Sequence, residues 1–195
     1  MKQPKAEVLT EAVDKFIFDL GLDLKNENFK DTPRRFASTY INLCRGLYEE
    51  AQQEITENLA RVFPTNYKGM IIQEPIRVYS LCSHHMLPVT YDVLFGYIPS
   101  EKTLGFSKSI KVIELLAAKP VSQEDFTQEM VEVFDKTLKP KGLMAVVKGI
   151  HMCMLIRSVK SHTVNTTSAV RGVFKDEERT RNEFLRLASF RNGGS

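Results

Sequence analysis

The sequence predicts an α+β fold, in which an antiparallel sheet carries helices packed outside it and a helical appendage precedes it. Three observations predict this. Apolar residues recur at helical spacing in two N-terminal stretches, β-branched and aromatic runs come in two hairpin-like pairs further on, and two stretches of helical character separate those pairs. A doubly wound parallel sheet would instead alternate strand and helix one by one.

The elements follow in order. Between Glu7 and Leu20, Val8, Leu9, Val13, Phe16, Ile17 and Leu20 fall on one helical face. The polar turn Asn26-Glu27-Asn28 comes next. In Asp31-Thr32-Pro33 a capping side chain precedes a proline at a first-turn position that needs no N–H, which opens a second helix expected to reach about Leu47. Phe36, Tyr40, Ile41, Cys44 and Leu47 keep its apolar spacing, so Cys44 reads as a packed small hydrophobe. Around Gly69 the pattern turns strand-like, first at Met70, Ile71, Ile72, Ile76, Val78 and Tyr79, then at Tyr91, Val93, Phe95, Tyr97 and Ile98. Ser107 to Lys119 and Ser122 to Leu138 read as helices, and the second begins with Ser122 three residues before Asp125, like a capping box. After the Lys139-Pro140-Lys141-Gly142 turn, Leu143 to Ile156 reads as an apolar strand and the Thr- and Val-rich Thr163 to Val173 as its partner. Asp176 is expected to cap a last helix through Phe184, Leu185 and Leu187. The expected division is a helical region over 1–65, a sheet-bearing catalytic domain over 66–190, and a disordered tail over 191–195.

Composition narrows the function. A chain of 195 residues, 43% hydrophobic and 26% charged, describes one globular domain able to bury a core without covalent staples. No apolar run reaches the ~20 residues that cross a bilayer, and MKQPKAEVLTEAVDKF has no apolar core of a secretory signal. Lys and Arg exceed Asp and Glu by 27 − 24 = 3, far from the dense basic stripe of a nucleic-acid binder, so any anionic partner is expected to be small. The 3 cysteines cannot all pair, which suggests a reducing, cytoplasmic setting with free thiols.

The metal-competent residues crowd into Cys82-Ser83-His84-His85 and His151-Met152-Cys153. On strands, His151 and Cys153 would share a face, and so would Cys82 and His84; Cys82 and His85 converge only if the chain turns, as Pro88 makes plausible. Spacing does not choose between the two histidines. Two thiolates and one imidazole would give zinc three ligands and leave a fourth position for water, an arrangement suited to catalysis. The remaining histidines could then move protons near neutral pH. The competing readings are buried small hydrophobes beside satisfied histidines, and a closed four-ligand structural zinc. Lys108 and Lys111, at the start of the helix after Ser107, can reach one anion, and Arg157 is a third cation. Glu124 in a first helical turn complements the helix dipole, and its carboxylate can also accept from a guanine edge.

The motifs CSHHMLP at 82–88, YIPSEKTLGFSK at 97–108, Gln123-Glu124, HMCM at 151–154, TTSAVRGVF at 166–174 and TRNEFLRL at 180–187 together resemble the GTP cyclohydrolase I family, over about Asp31 to Leu187. The resemblance implies the tunnelling fold, with sheets from several subunits closing a barrel, in a homo-oligomer, usually a decamer, whose active sites lie between subunits. It implies Cys82, His85 and Cys153 as zinc ligands and His84 and His151 as proton-transfer groups. Glu124, with Gln123 beside it, would anchor guanine, and Ser107, Lys108, Lys111 and Arg157 would line the triphosphate pocket. The implied reaction takes GTP to 7,8-dihydroneopterin triphosphate and formate, the first step of pterin and folate-type biosynthesis. Ser83 stands where that family commonly has Glu, Lys111 where it has Arg, and Ser158 where it has Gly. Lys for Arg loses the planar fork that grips phosphate at two points. The rivals are a same-fold enzyme acting on a related purine or stopping at a ring-opened product, and a non-catalytic zinc-stabilised oligomer.

Overall fold

The computed structural model describes residues 1–157 and 160–189. Helices α1 (Ala6–Asp19) and α2 (Thr32–Leu43) pack together, with Phe36 stacked on Tyr40 at 4.4 Å and tilted against Phe16 at 6.4 Å between ring centroids. α2 stops short of the expected Leu47. A 3-10 turn, Arg45–Leu47, follows, because Gly46 donates its N–H to the Ala118 carbonyl at 2.8 Å and lies so close to the Leu115 carbonyl that any Cβ would collide with it. Helix α3 (Glu49–Leu59) then buries Ala51, Ile55 and Leu59 at i, i+4, i+8 spacing. That helix was not assigned from sequence, where the expected helix ended at the chain reversal that precedes it.

The strands are β1 (Val62–Pro64), β2 (Ile71–Cys82), β3 (Pro88–Ile98) and β4 (Lys102–Leu104), with β1 and β4 forming a small sheet of their own. Then come α4 (Phe106–Ala117), β5 (Pro120–Val121), α5 (Gln123–Leu138), β6 (Gly142–His151), α6 (Met152–Leu155), β7 (Val164–Gly172), α7 (Val173–Asp176) and α8 (Glu178–Ser189). The main sheet has the order β5-β2-β3-β6-β7. It is antiparallel except at one edge, where β5 runs parallel to the end of β2 in the register Leu81↔Pro120 and Cys82↔Val121. The α+β architecture is therefore as expected, with this short parallel bridge added.

Alternation sets the two faces of the sheet. Ile76 and Val78 of β2, Val89 to Tyr97 at every second position of β3, and Leu143, Ala145 and Val147 of β6 face inward. They pack under Val112, Ile113 and Leu116 of α4 and Phe126, Met130, Phe134 and Leu138 of α5 in one continuous core. Each such side chain contributes about 1.5–3 kcal/mol through burial. On the opposite face Phe174 and Phe184 meet edge to face at 5.6 Å and cover Met144, Leu94 and Val170, while Arg77, Tyr79 and Lys148 remain exposed.

Two expected boundaries move. β6 ends at His151 rather than Ile156, since Val89↔His151 is its last pair with β3 and Pro88 beyond has no N–H to extend the ladder. Cys153 therefore sits on the one-turn α6, not on a strand face shared with His151. Asp176 closes α7, and the last helix opens at Glu178. Ser122 does cap α5, accepting from the Asp125 N–H at 3.0 Å and donating to the Asp125 carboxylate at 2.8 Å. Among the described residues no helix is long and apolar enough to cross a membrane. The tail 191–195 and Ser158 lie outside the described residues.

Candidate functional site at one end of the sheet

Two pairings gather the chemistry. The bridge Cys82↔Val121 sets the start of α5 beside the end of β2, and the pair Val89↔His151 sets the end of β6 beside the start of β3. Cys82, Gln123, Glu124, His151 and Cys153 thus converge on one end of the sheet.

Beyond Cys82 the chain reverses at once. The N–H groups of His85 and Met86 both donate to the Cys82 carbonyl, at 3.3 and 2.9 Å, and the Cys82 N–H donates to Leu87 at 2.9 Å. Met86 takes a left-handed φ of 54° to close this turn. The reversal is what Cys82 and His85 need to meet, and Cys82 Sγ lies 3.5 Å from His85 Nδ1 and 3.9 Å from His84 Nδ1. Cys153 Sγ comes within 3.7 Å of Cys82 Sγ. One ligand atom from each of Cys82, His85 and Cys153 lies within 4.8 Å of the others. Two sulfurs and an imidazole nitrogen so placed are a donor set that fits zinc or another borderline-soft divalent ion. Cys82 is buried and Cys153 partly so, while His85 is exposed, so the cluster opens to solvent on its histidine side. The exposed His84 ring stands 6.1 Å from the His85 ring.

His151 is half-buried. Its Nε2 lies 2.9 Å from Gln123 Oε1, and its ring meets the Tyr91 ring at 6.0 Å and 70°. Tyr91 in turn stacks on Phe126 at 5.2 Å. Burial holds the His151 imidazole below its ordinary value, with the Glu124 carboxylate pulling the other way. Desolvation also lowers His85, and the Arg157 and His84 charges add to the effect. The Cys153 thiol is pushed up by burial and by its contact with Cys82. Each shift favours the neutral form of its group, and a neutral imidazole is the form that binds a metal or accepts a proton. Arg157 closes on His85 Nε2 with its guanidinium.

Ser107, Lys108 and Lys111 do not join this group within one chain. They lie in the first turns of α4, whose Phe106 carbonyl accepts from Gln73 Nε2 at 3.0 Å near the start of β2, whereas Cys82 is the last residue of that strand. The 12 residues of β2 span about 40 Å at about 3.3 Å each, which puts the α4 start roughly 20–30 Å from the sulfurs.

Sequence reasoning passed over Tyr91, Gly149 and Thr167. Tyr91↔Gly149 and Gly149↔Asn165 are register pairs across β3, β6 and β7, and the missing Cβ of Gly149 leaves room for the Gln123 side chain over the sheet. Glycine inside a strand was the available signal, since it marks a close approach of other groups.

A family model described as GTP cyclohydrolase I matches residues 9–189 of this chain. The chain is 38% identical over 182 residues to a protein of Wolinella succinogenes called GTP cyclohydrolase 1, covering 92% of this chain and 95% of that one. It is 36% identical over 187 residues to the protein of the same name from Bacillus subtilis, covering 95% and 96%. Among solved structures, an archaeosine synthase QueF-Like in the apo form matches at 15% identity with a TM-score of 0.45, over 55% of this chain and 97% of that one.

Proposed function

Because this chain belongs to the GTP cyclohydrolase I family, we propose that it hydrolyses and rearranges GTP to 7,8-dihydroneopterin triphosphate and formate, the entry step of pterin biosynthesis. The observation that carries the residue roles is the meeting of Cys82, His85 and Cys153 beside His151 and Glu124 at one sheet end.

Cys82, His85 and Cys153 would hold zinc, which when bound lowers the pKa of water towards ~7 and supplies Lewis acidity at the purine. Glu124 accepts from the N1–H and amino group of guanine and orients C8, with Gln123 at its side. Water adds at C8, the imidazole ring opens, the one-carbon unit leaves as formate, and the ribose carbons rearrange and close the new ring. His84 and His151 take and return the protons of these steps. Arg157 grips the triphosphate together with Ser107, Lys108 and Lys111, which prolong contact with the most highly charged part of the substrate.

The separation between the α4 start and Cys82 supports a homo-oligomer, a decamer in this reading, in which the α4 start of one subunit completes the site of another. Lys111 offers a point charge rather than a planar fork, which sets a weaker grip on phosphate than Arg. Free thiols at 82 and 153 suit a reducing cytoplasm.

The test is steady-state turnover of GTP by purified, metal-analysed protein, with products identified by mass. Formate together with dihydroneopterin triphosphate is expected, and a different pterin or a ring-opened end product refutes the assignment. His151→Ala is expected to keep metal and assembly while product formation stops; an unchanged rate removes His151 from the chemistry.

A further inference from the structure

We infer that Gln123 is a positioning residue that fixes the tautomer of His151, so that His151 exchanges protons with the substrate at Nδ1. The inference deepens the function proposed above and rests on it for the word substrate.

Gln123 opens α5 and is only 3% exposed. Its amide nitrogen lies 3.0 Å from the Val147 carbonyl, 3.0 Å from the Asn165 carbonyl and 3.2 Å from Thr167 Oγ1. Two of these are backbone carbonyls, which only accept. The amide therefore has one allowed orientation, because turning it over would press Oε1 against two carbonyl oxygens.

The hydroxyls agree with this orientation. Thr127 Oγ1 donates to the main-chain carbonyl of Gln123 at 2.7 Å, so Thr167, 2.7 Å from Thr127 Oγ1, must be the donor of that pair. Thr167 Oγ1 then keeps its lone pairs for the Gln123 amide. Every proton in the cluster has one direction to run. Gln123 Oε1 is left as a pure acceptor 2.9 Å from His151 Nε2, and that nitrogen must carry the hydrogen. In a neutral imidazole the other nitrogen, Nδ1, then holds the free lone pair.

Two further features hold Oε1 in place. Gly149 supplies the space, because a Cβ there would collide with Oε1 and come within 2.9 Å of the Tyr91 ring. The Tyr91 ring, locked against Phe126, limits the tilt of the imidazole from the side. Orientation of a reacting imidazole by a fixed partner at its other nitrogen is the same arrangement that tunes metal-bound histidines, where loss of the partner costs about 10–100-fold.

The test uses assembled, metal-loaded protein labelled with 15N-histidine, in which protonated and bare ring nitrogens give separate signals. Wild type is expected to show His151 with Nε2 protonated and Nδ1 bare. In Gln123→Met, which keeps the side chain's length and loses its acceptor, the tautomers mix and kcat falls about 10–100-fold while KM for GTP stays within about twofold. Gly149→Ala, which retains the glutamine and displaces Oε1, moves the signals and kcat in the same direction and serves if Gln123→Met does not assemble. A protonated Nδ1 in wild type, or a raised KM at unchanged kcat in either variant, overturns the inference. The nitrogen signals need no turnover, so failure of the GTP reaction and failure of the tautomer assignment are read separately.

Discussion

Ser122→Ala removes the cap of the helix whose first two residues are Gln123 and Glu124. The lost bonds are the one accepted from the Asp125 N–H at 3.0 Å and the one donated to the Asp125 carboxylate at 2.8 Å. A missing cap of this kind costs about 1 kcal/mol, about fivefold in the opening of the first turn. Against that stand the two hydrogens of the Gln123 amide, shared among three acceptors and worth on the order of 2 kcal/mol together at about 1 kcal/mol each. The anchored glutamine wins, so the turn loosens around Glu124 without releasing His151. Expected are a loss of about fivefold in hydrogen-exchange protection at the Asp125 amide and a KM for GTP raised by up to about fivefold. The value of kcat should stay within about twofold, and Ser122→Asp should restore wild-type values. A tenfold fall in kcat at unchanged KM, or an Asp125 amide as protected as in wild type, would refute this reasoning.

Three more expectations concern the metal, the core and acid. Cys153→Ser should lower the divalent metal bound per chain, measured by elemental analysis, while circular dichroism keeps its wild-type shape, since the one-turn α6 has no fully buried residue and Ser is close to Cys in size. Phe126→Ala empties a site with no solvent exposure stacked on Tyr91, and should cost about 3–5 kcal/mol in denaturant unfolding. The hydrogen bond from Arg77 holds the Asp92 carboxyl below its ordinary value, burial opposes it, and the Arg77 and Lys148 charges add to the lowering. A depressed carboxylate stabilises the fold above its unfolded value near ~3.9 and loses that contribution as pH falls through the folded value. Asp92→Asn should therefore flatten the stability profile below about pH 4, by a small amount because both side chains are solvent-screened; an unchanged acid limb would show that the pair contributes nothing.

What could be read before folding was whatever depends on local pattern. The capped start of α5 was legible in Ser122 and Asp125, and the buried faces of β2 and β3 in their alternation. The turn after Cys82 was only half legible, since Pro88 suggests a reversal, yet bringing His85 to Cys82 takes a left-handed Met86 that no β-branched or glycine signal marks. Gly46 breaks α2 for a reason far along the chain, the carbonyls of Leu115 and Ala118, so the helix end and the whole of α3 were hidden from a local reading. The same holds at the site. Gln123 looks like a surface residue in a first helical turn, and only the strand register that brings Val147, Asn165 and Thr167 beneath it makes its amide directional.

The placement of the α4 start far along β2 from the thiols has a genetic consequence. Two alleles that are each dead, one carrying Lys108→Ala and the other Cys82→Ser, should revive one another when expressed in the same cell. In the proposed homo-oligomer, some mixed assemblies would then contain a junction to which each chain brings only its intact half. Mutations paired within the same half, such as Cys82→Ser with Cys153→Ser, should never do so.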